Sequence, residues 1–415
     1  MLVKKFKLLI FIVLLLLILS FIFPVSSFGF NETSINVWSN NSSLDTSITP
    51  NFNDESSGNF LEITSGSAIL MEQKTGNILY EYNSHEQLRP ASVTKVMTLL
   101  LIMEALDNGT ITLEDKVSCS EKANSMGGSQ IWLDSTETLT VHEMLKAICI
   151  VSANDCSMAM SEYICGSHEL FVEQMNNKAK ELGMNDTCFK NCHGLDEDGH
   201  LTSSYDIALM SRELITKHPK IIEYTTTWMD TLRNGESELV NTNKLIRNYQ
   251  GTTGLKTGST STALFNLSAT ATRDNLSLIS VIMKGETSNI RFEEAKKLLD
   301  YGFSNFQYID CSKKDDIVKT LNIDKGIYST VDAIFEEDSG CLIKKGTANN
   351  IISNVQLNNQ VSAPISKGQK LGEVTYSIDD KIISKVNIVA KEEVKKLNFV
   401  NMSARIIESW FTLLR

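Results

Sequence analysis

The chain has 415 residues, of which 50 are Asp or Glu and 39 Lys or Arg, for a net charge of −11. That length exceeds what one ordinary core takes up, so two folded domains with appendages are expected. The acidic balance argues against nucleic acid as a partner, and 42% apolar with 21% charged residues is the composition of a chain that buries sizeable cores.

Residues 1–29 have the layout of a secretory signal: Lys4, Lys5 and Lys7, a hydrophobic stretch from Leu8 to Phe23, then Ser27 and Gly29 in the small-residue positions before a cleavage site. An uncleaved anchor is the other reading, although the stretch is short for a membrane span. Both export the remainder. Residues 30–62 are rich in Asn, Ser and Thr and read as a flexible polar linker.

From 63 to 306 helical and strand patterns alternate. SAILMEQKTGNILYEYN, from Ser67, predicts a hairpin turning at Lys74-Thr75-Gly76-Asn77. VHEMLKAICIV and LFVEQMNNKAKELG have helical spacing, the second closing on Gly183 as a C-cap. LFNLSATATRDNLSLISVIM predicts a second hairpin at Asp274-Asn275. Helices on an antiparallel sheet, an α+β domain, summarise this segment. From 307 to 397 short β-type runs such as GEVTYSI and ISKVNIV predict a small all-β domain. Residues 398–415 place Phe399, Met402, Ile406, Trp410 and Leu413 on one stripe of an amphipathic helix, suited to a membrane surface or to docking on the protein's own core.

Three short stretches carry chemistry. In PASVTKVMTLLLI, Ser92 begins a helix and Lys95 follows one turn on along the same face. A serine hydroxyl needs a base to become a nucleophile, and a lysine can serve if burial or a nearby cation lowers its pKa. An N-cap serine with a solvated lysine would produce the same spacing. VSANDCS offers the Ser152 hydroxyl and the Asn154 amide in a connection between helices, and GLKTGST offers Lys256, Thr257 and Gly258 at a strand, where a glycine lets a substrate backbone approach. Taken singly, these are also a polar helix connection and a turn.

The eight cysteines could pair in an oxidising compartment or remain thiols, and their connectivity is not legible. Cys188, Cys192, His193 and His200 mimic a zinc ligand set, but the paired CxxC spacing of structural zinc sites is absent, so no metal or cofactor is assigned.

In this order and spacing the three stretches resemble the motif set of the serine penicillin-recognising enzymes. The likeness is to the low-molecular-mass penicillin-binding proteins that act as D-alanyl-D-alanine carboxypeptidases. It runs from about residue 65 to the C-terminus, through HGLDEDGH, RFEEAKKLLDYGF and APISKGQKLGEV. The resemblance implies a β-lactamase/transpeptidase-like domain, then a β-rich domain and an anchoring helix. It implies as substrate a peptidoglycan pentapeptide ending in D-Ala-D-Ala, with β-lactams as covalent inhibitors. Carried over by position, Ser92 is the nucleophile and Lys95 its base; Ser152 relays a proton, and Asn154 holds the substrate amide or Lys95. Lys256 supplies positive charge, Thr257 and Arg291 grip the terminal carboxylate, and the N–H groups of Ser92 and Ser259 form an oxyanion hole. Asp196 supports the site. Two other readings stand beside this one: a β-lactamase, for which Glu181 and Asn185 in ELGMN mimic the deacylating loop, and a non-catalytic receptor for β-lactam or peptide. Glu181 is expected in the last turn of a helix, pointing to solvent.

Overall fold

A computed structural model of the chain describes residues 59–358, 361–399 and 401–403. The signal, the linker as far as residue 58, and all but a few residues of the terminal amphipathic stretch lie outside the described residues. Among the described residues, no helix is long and apolar enough to cross a membrane.

The peptidase-like segment is built on a five-stranded antiparallel sheet. Its strands are β1 (Ser67–Glu72), β2 (Ile78–Tyr82), β3 (Thr252–Thr260), β4 (Leu264–Arg273) and β5 (Leu276–Gly285), in the order β2-β1-β5-β4-β3. Both predicted hairpins are present, with Asp274 and Asn275 at φ 46° and 67°, as a two-residue turn with positive φ requires. Strand alternation divides the interior in two. Ile69 and Met71 face one core, Ala68 and Leu70 the other.

The first core lies under α1 (Lys95–Asp107), α2 (Val141–Ile150), α3 (Asn154–Cys165), α4 (His168–Glu181) and α5 (Ser204–Lys217). The second lies under α6 (Ser288–Asn305). α1 runs through the middle of the helical layer, and ten of its thirteen residues are buried, so its sequence is apolar on every side. α2 starts on a capping box in which Thr140 accepts from Glu143 N while the Glu143 carboxylate takes Thr140 N, which fixes where the helix begins.

Asn59, the first described residue and near the C-terminal end of what reads as linker, is already packed. The Asn59 side chain bonds both polar backbone atoms of Ile63 and receives the Tyr80 hydroxyl, and the Phe60 ring meets Tyr80 and Tyr301 edge-on. A linker composition does not exclude one or two residues that happen to fit a polar socket.

The second domain is all-β. A two-stranded ribbon, β6 (Phe306–Ser312) with β9 (Ser339–Lys344), leads into a six-stranded sheet. That sheet joins β7 (Ile317–Asp324), β8 (Thr330–Phe335), β10 (Ile352–Leu357), β11 (Val361–Ser362), β12 (Lys370–Ile378) and β13 (Lys381–Ala390), in the order β10-β12-β13-β8-β7-β11. The runs GEVTYSI and ISKVNIV are the antiparallel pair β12 and β13.

Candidate active site

The serine turn differs from the simple helix start read from sequence. Ala91–Thr94 is a 3-10 turn, and the α-helix begins only at Lys95. In a 3-10 turn residues i and i+3 eclipse, which brings Ser92 and Lys95 together more directly than an α-turn does. Ala91 enters the turn at φ 49°, and its carbonyl is held by the Thr94 hydroxyl at 2.8 Å. Lys190 N donates to His200 Nδ1, so the other ring nitrogen carries the proton and donates to Thr94 Oγ1 at 2.8 Å. Burial pushes the His200 pKa down to about 4, so this chain of three bonds ends in a neutral ring and steadies the turn from beneath.

Lys95 is fully buried, and its Nζ has three oxygen neighbours: Ser92 Oγ at 3.1 Å, Asn154 Oδ1 at 2.5 Å and His193 O at 2.7 Å. Asn154 Nδ2 donates to Gly127 O, which leaves the Asn154 oxygen toward the lysine. The amide and the carbonyl can only accept, so they take two N–H bonds. The third direction, toward Ser92, holds a third N–H when the group is an ammonium and a lone pair when it is an amine. Burial lowers the Lys95 pKa well below its usual value, and the charge of Lys256 lowers it further. A neutral amine with its lone pair toward a serine hydroxyl is a general base in position. Of the two roles open to Asn154, the structure shows the one that holds Lys95.

Ser152 lies in the connection between α2 and α3 at φ 67°, nearly buried, and its hydroxyl has no partner among the described residues. Lys256, Thr257 and Gly258 lie on β3, the edge strand of the sheet. Gly258 packs directly against the serine turn: a Cβ there would come within 2.8 Å of Val93 N and 2.9 Å of Ser92 N. The room that the glycine provides is thus filled by the backbone of the Ser92 turn, where sequence suggested approaching substrate. Lys256 is buried, donates to Thr257 O at 3.0 Å, and has its pKa lowered by burial to about 7. Thr257 Oγ1 meets Thr242 Oγ1 at 2.7 Å, and Ser259 is exposed one residue beyond Gly258.

Arg291 and Thr257 share no hydrogen bond among the described residues. The buried Arg291 guanidinium donates to Gly258 O and Asn266 O at 3.0 and 3.1 Å and so braces β3 against β4. Asp196 is exposed and bonds no site residue; its charge acts on the His200 ring, raising its pKa. The neighbouring backbone does the supporting. His193 supplies its carbonyl to Lys95, and Gly194, at φ 91°, packs so closely on Ala91 that a Cβ would be driven into the Ala91 carbonyl. Of the four residues that mimic a zinc set, His200 has both ring nitrogens engaged, and His193 Nδ1 accepts from Leu195 N. Groups of three or more ligating side chains are absent among the described residues.

Glu181 is exposed in the last turn of α4, paired with Lys178 at 2.7 Å, with Gly183 at φ 74° just beyond. It is the solvent-facing residue expected, remote in its bonding from Ser92 and Lys95.

A serine, a buried lysine, a hydroxyl and amide from a helix connection, and a Lys-Thr-Gly edge strand together define a penicillin-recognising serine peptidase. Residues 53–287 match the family profile described as D-alanyl-D-alanine carboxypeptidase, and residues 306–396 match that of the penicillin-binding protein 5 C-terminal domain. The chain is 44% identical over 348 residues to the D-alanyl-D-alanine carboxypeptidase DacF of Bacillus subtilis, covering 83% of this chain and 89% of that one. Penicillin-binding protein 5 from Haemophilus influenzae is 31% identical with a TM-score of 0.72, covering 81% of this chain and 98% of the other. Penicillin-binding protein D2 from Listeria monocytogenes, solved with ampicillin bound, is 32% identical with a TM-score of 0.54, over 59% of this chain and 99% of the other. This chain belongs to the S11 family of D-alanyl-D-alanine carboxypeptidases, and is a serine-type peptidase.

Proposed function

We propose that the protein removes the terminal D-alanine from peptidoglycan pentapeptide stems through an acyl-enzyme on Ser92. The observation that carries this is the Lys95 amine, buried and aimed at Ser92 Oγ by Asn154 and His193. Lys95 takes the hydroxyl proton as Ser92 Oγ attacks the carbonyl of the penultimate D-alanine. The resulting oxyanion accepts from the N–H groups of Ser92 and Ser259, a type of contact worth about 3–4 kcal/mol per donor. Contact between the serine turn and β3 at Gly258 is what supports this pairing of donors. Ser152 passes the proton to the departing D-alanine nitrogen, and the C–N bond breaks. Water then attacks the ester and restores the serine.

Lys256 and Thr257 bind the terminal carboxylate, and Arg291 assists by fixing the strand that carries them. A β-lactam places a strained amide next to a carboxylate, so it acylates Ser92 in the same way and its retained ring fragment blocks water. The ampicillin complex of the Listeria relative supports this part of the reading.

The protein works on the outer face of the cytoplasmic membrane, delivered by residues 1–29 and held by the C-terminal helix. Support comes from the sequence of both ends and from Phe399 and Met402, which are exposed at the start of that helix. A fusion to a reporter active only outside the cytoplasm, and fractionation with and without residues 398–415, test both halves.

The main test is incubation with a synthetic pentapeptide ending in D-Ala-D-Ala, read by mass spectrometry. Release of one D-alanine is expected, with loss of at least about 10³-fold in Ser92→Ala. A protein that binds penicillin but leaves the peptide intact would reject the reading.

A further inference from the structure

Six of the eight cysteines stand apart from one another as thiols, but one pair does not. Cys311 Sγ and Cys341 Sγ are 2.9 Å apart, thirty residues distant in the chain, and no other two thiols among the described residues make such a contact. Cys341 is buried and Cys311 half-buried.

The backbone explains why they meet. On the ribbon, Ile309 pairs with Cys341, Asp310 with Gly340 and Ser312 with Ser339, so Cys311 is the extra residue of a β-bulge. In a regular ladder Cys311 would oppose Ser339, a diagonal about 7–8 Å from Cys341 and too long for a bridge. The bulge bends β6 and turns Cys311 onto its neighbour. The Tyr376 hydroxyl holds the Cys311 carbonyl at 3.0 Å and fixes that bend.

The pair also marks a joint. Phe306 and Leu342 of the ribbon belong to the core under α6, whereas Cys341 and Ile343 belong to the core of the all-β domain. A covalent bond here would tie the ribbon at the place where the two cores meet.

We propose that Cys311 and Cys341 are a dithiol that closes into a disulfide, with a small-molecule or protein disulfide as the oxidant. The hydrogen bond between the two thiols lowers the Cys311 pKa, and Cys311 is the more accessible of the two, so it attacks first. Its thiolate displaces one thiolate from the oxidant and forms a mixed disulfide. Cys341 loses its proton and attacks the Cys311 sulfur, expelling the second thiolate. Two protein thiols are oxidised and one external disulfide is reduced to two thiols. The step is independent of the peptidase reading.

The test uses the full chain equilibrated with oxidised glutathione. The expected results are loss of two titratable thiols from eight, one cross-linked peptide pair containing Cys311 and Cys341 in a non-reducing digest, and a melting temperature higher by about 5 °C or more than that of the reduced protein. Cys311→Ser, at the half-buried position, keeps the fold testable and should abolish both the cross-link and the redox-dependent shift. Eight thiols still titrating after equilibration, a cross-link between a different pair, or an equal shift in Cys311→Ser would overturn the proposal.

Discussion

At the scale of single residues, the site is a matter of where one amine keeps its protons. Burial comes first in lowering the Lys95 pKa and the Lys256 charge second, while Lys256 itself is brought down to about 7. Below about pH 7 Lys256 is charged and lowers the Lys95 pKa; in the proposed function that charge also holds the substrate carboxylate, and it is lost as pH rises. The KM for a carboxylate-ended peptide should therefore rise as pH increases through about 7, and Lys256→Arg, which cannot deprotonate there, should flatten that limb; pH profiles of kcat and KM measured separately check it. Gly194 offers a steric test. Its φ of 91° disfavours any other residue, and a Cβ would strike the Ala91 carbonyl. Gly194→Ala should cut the rate of penicillin acylation by about 10²-fold, because small displacements at a reacting atom are that costly, while stopped-flow fluorescence shows binding much less affected.

At the scale of elements, the chemistry depends on an edge strand held in place from both sides. Among the described residues β3 pairs with β4 in the sheet, and the serine turn packs over it at Gly258. Arg291, reaching from α6, secures the strand through the Gly258 carbonyl, and its charge also lowers the Lys256 pKa. Arg291→Ala should thus slow acylation by about tenfold and move the Lys256 limb to higher pH; a slower enzyme with an unmoved limb would mean that Arg291 acts only as a brace. Much of this level was readable in advance. The hairpins show themselves by alternation and turn residues, and Ser92 with Lys95 by their offset. The 3-10 turn was not readable, because it depends on Gly194 and His200, about a hundred residues away. The role of His193 was equally hidden: it contributes a backbone carbonyl, which every residue possesses and no pattern of side chains reveals. The bonds that Arg291 makes were hidden for a related reason. A motif says which residues lie near a site, but not which way a long side chain turns once it has carbonyls to satisfy.

At the scale of the whole molecule, the two domains share a ribbon in place of a simple linker. Leu342 comes from the all-β domain yet is 1% exposed inside the core under α6, beside Phe306. Leu342→Ala should destabilise by about 2–4 kcal/mol, and calorimetry should show one melting transition separating into two as the cores are uncoupled. The order of domains was visible in the change from mixed to β-only patterning near residue 306. Their coupling was not, since Leu342 looks like any other strand residue in its own domain.

Ser152 keeps a hydroxyl in the interior with no partner among the described residues, a condition that usually lowers the stability of a fold. An antibiotic lodged on Ser92 could give that oxygen the companion it lacks, so the drugged protein would be the sturdier one. Poisoning the enzyme would then also preserve it, leaving a long-lived inert copy.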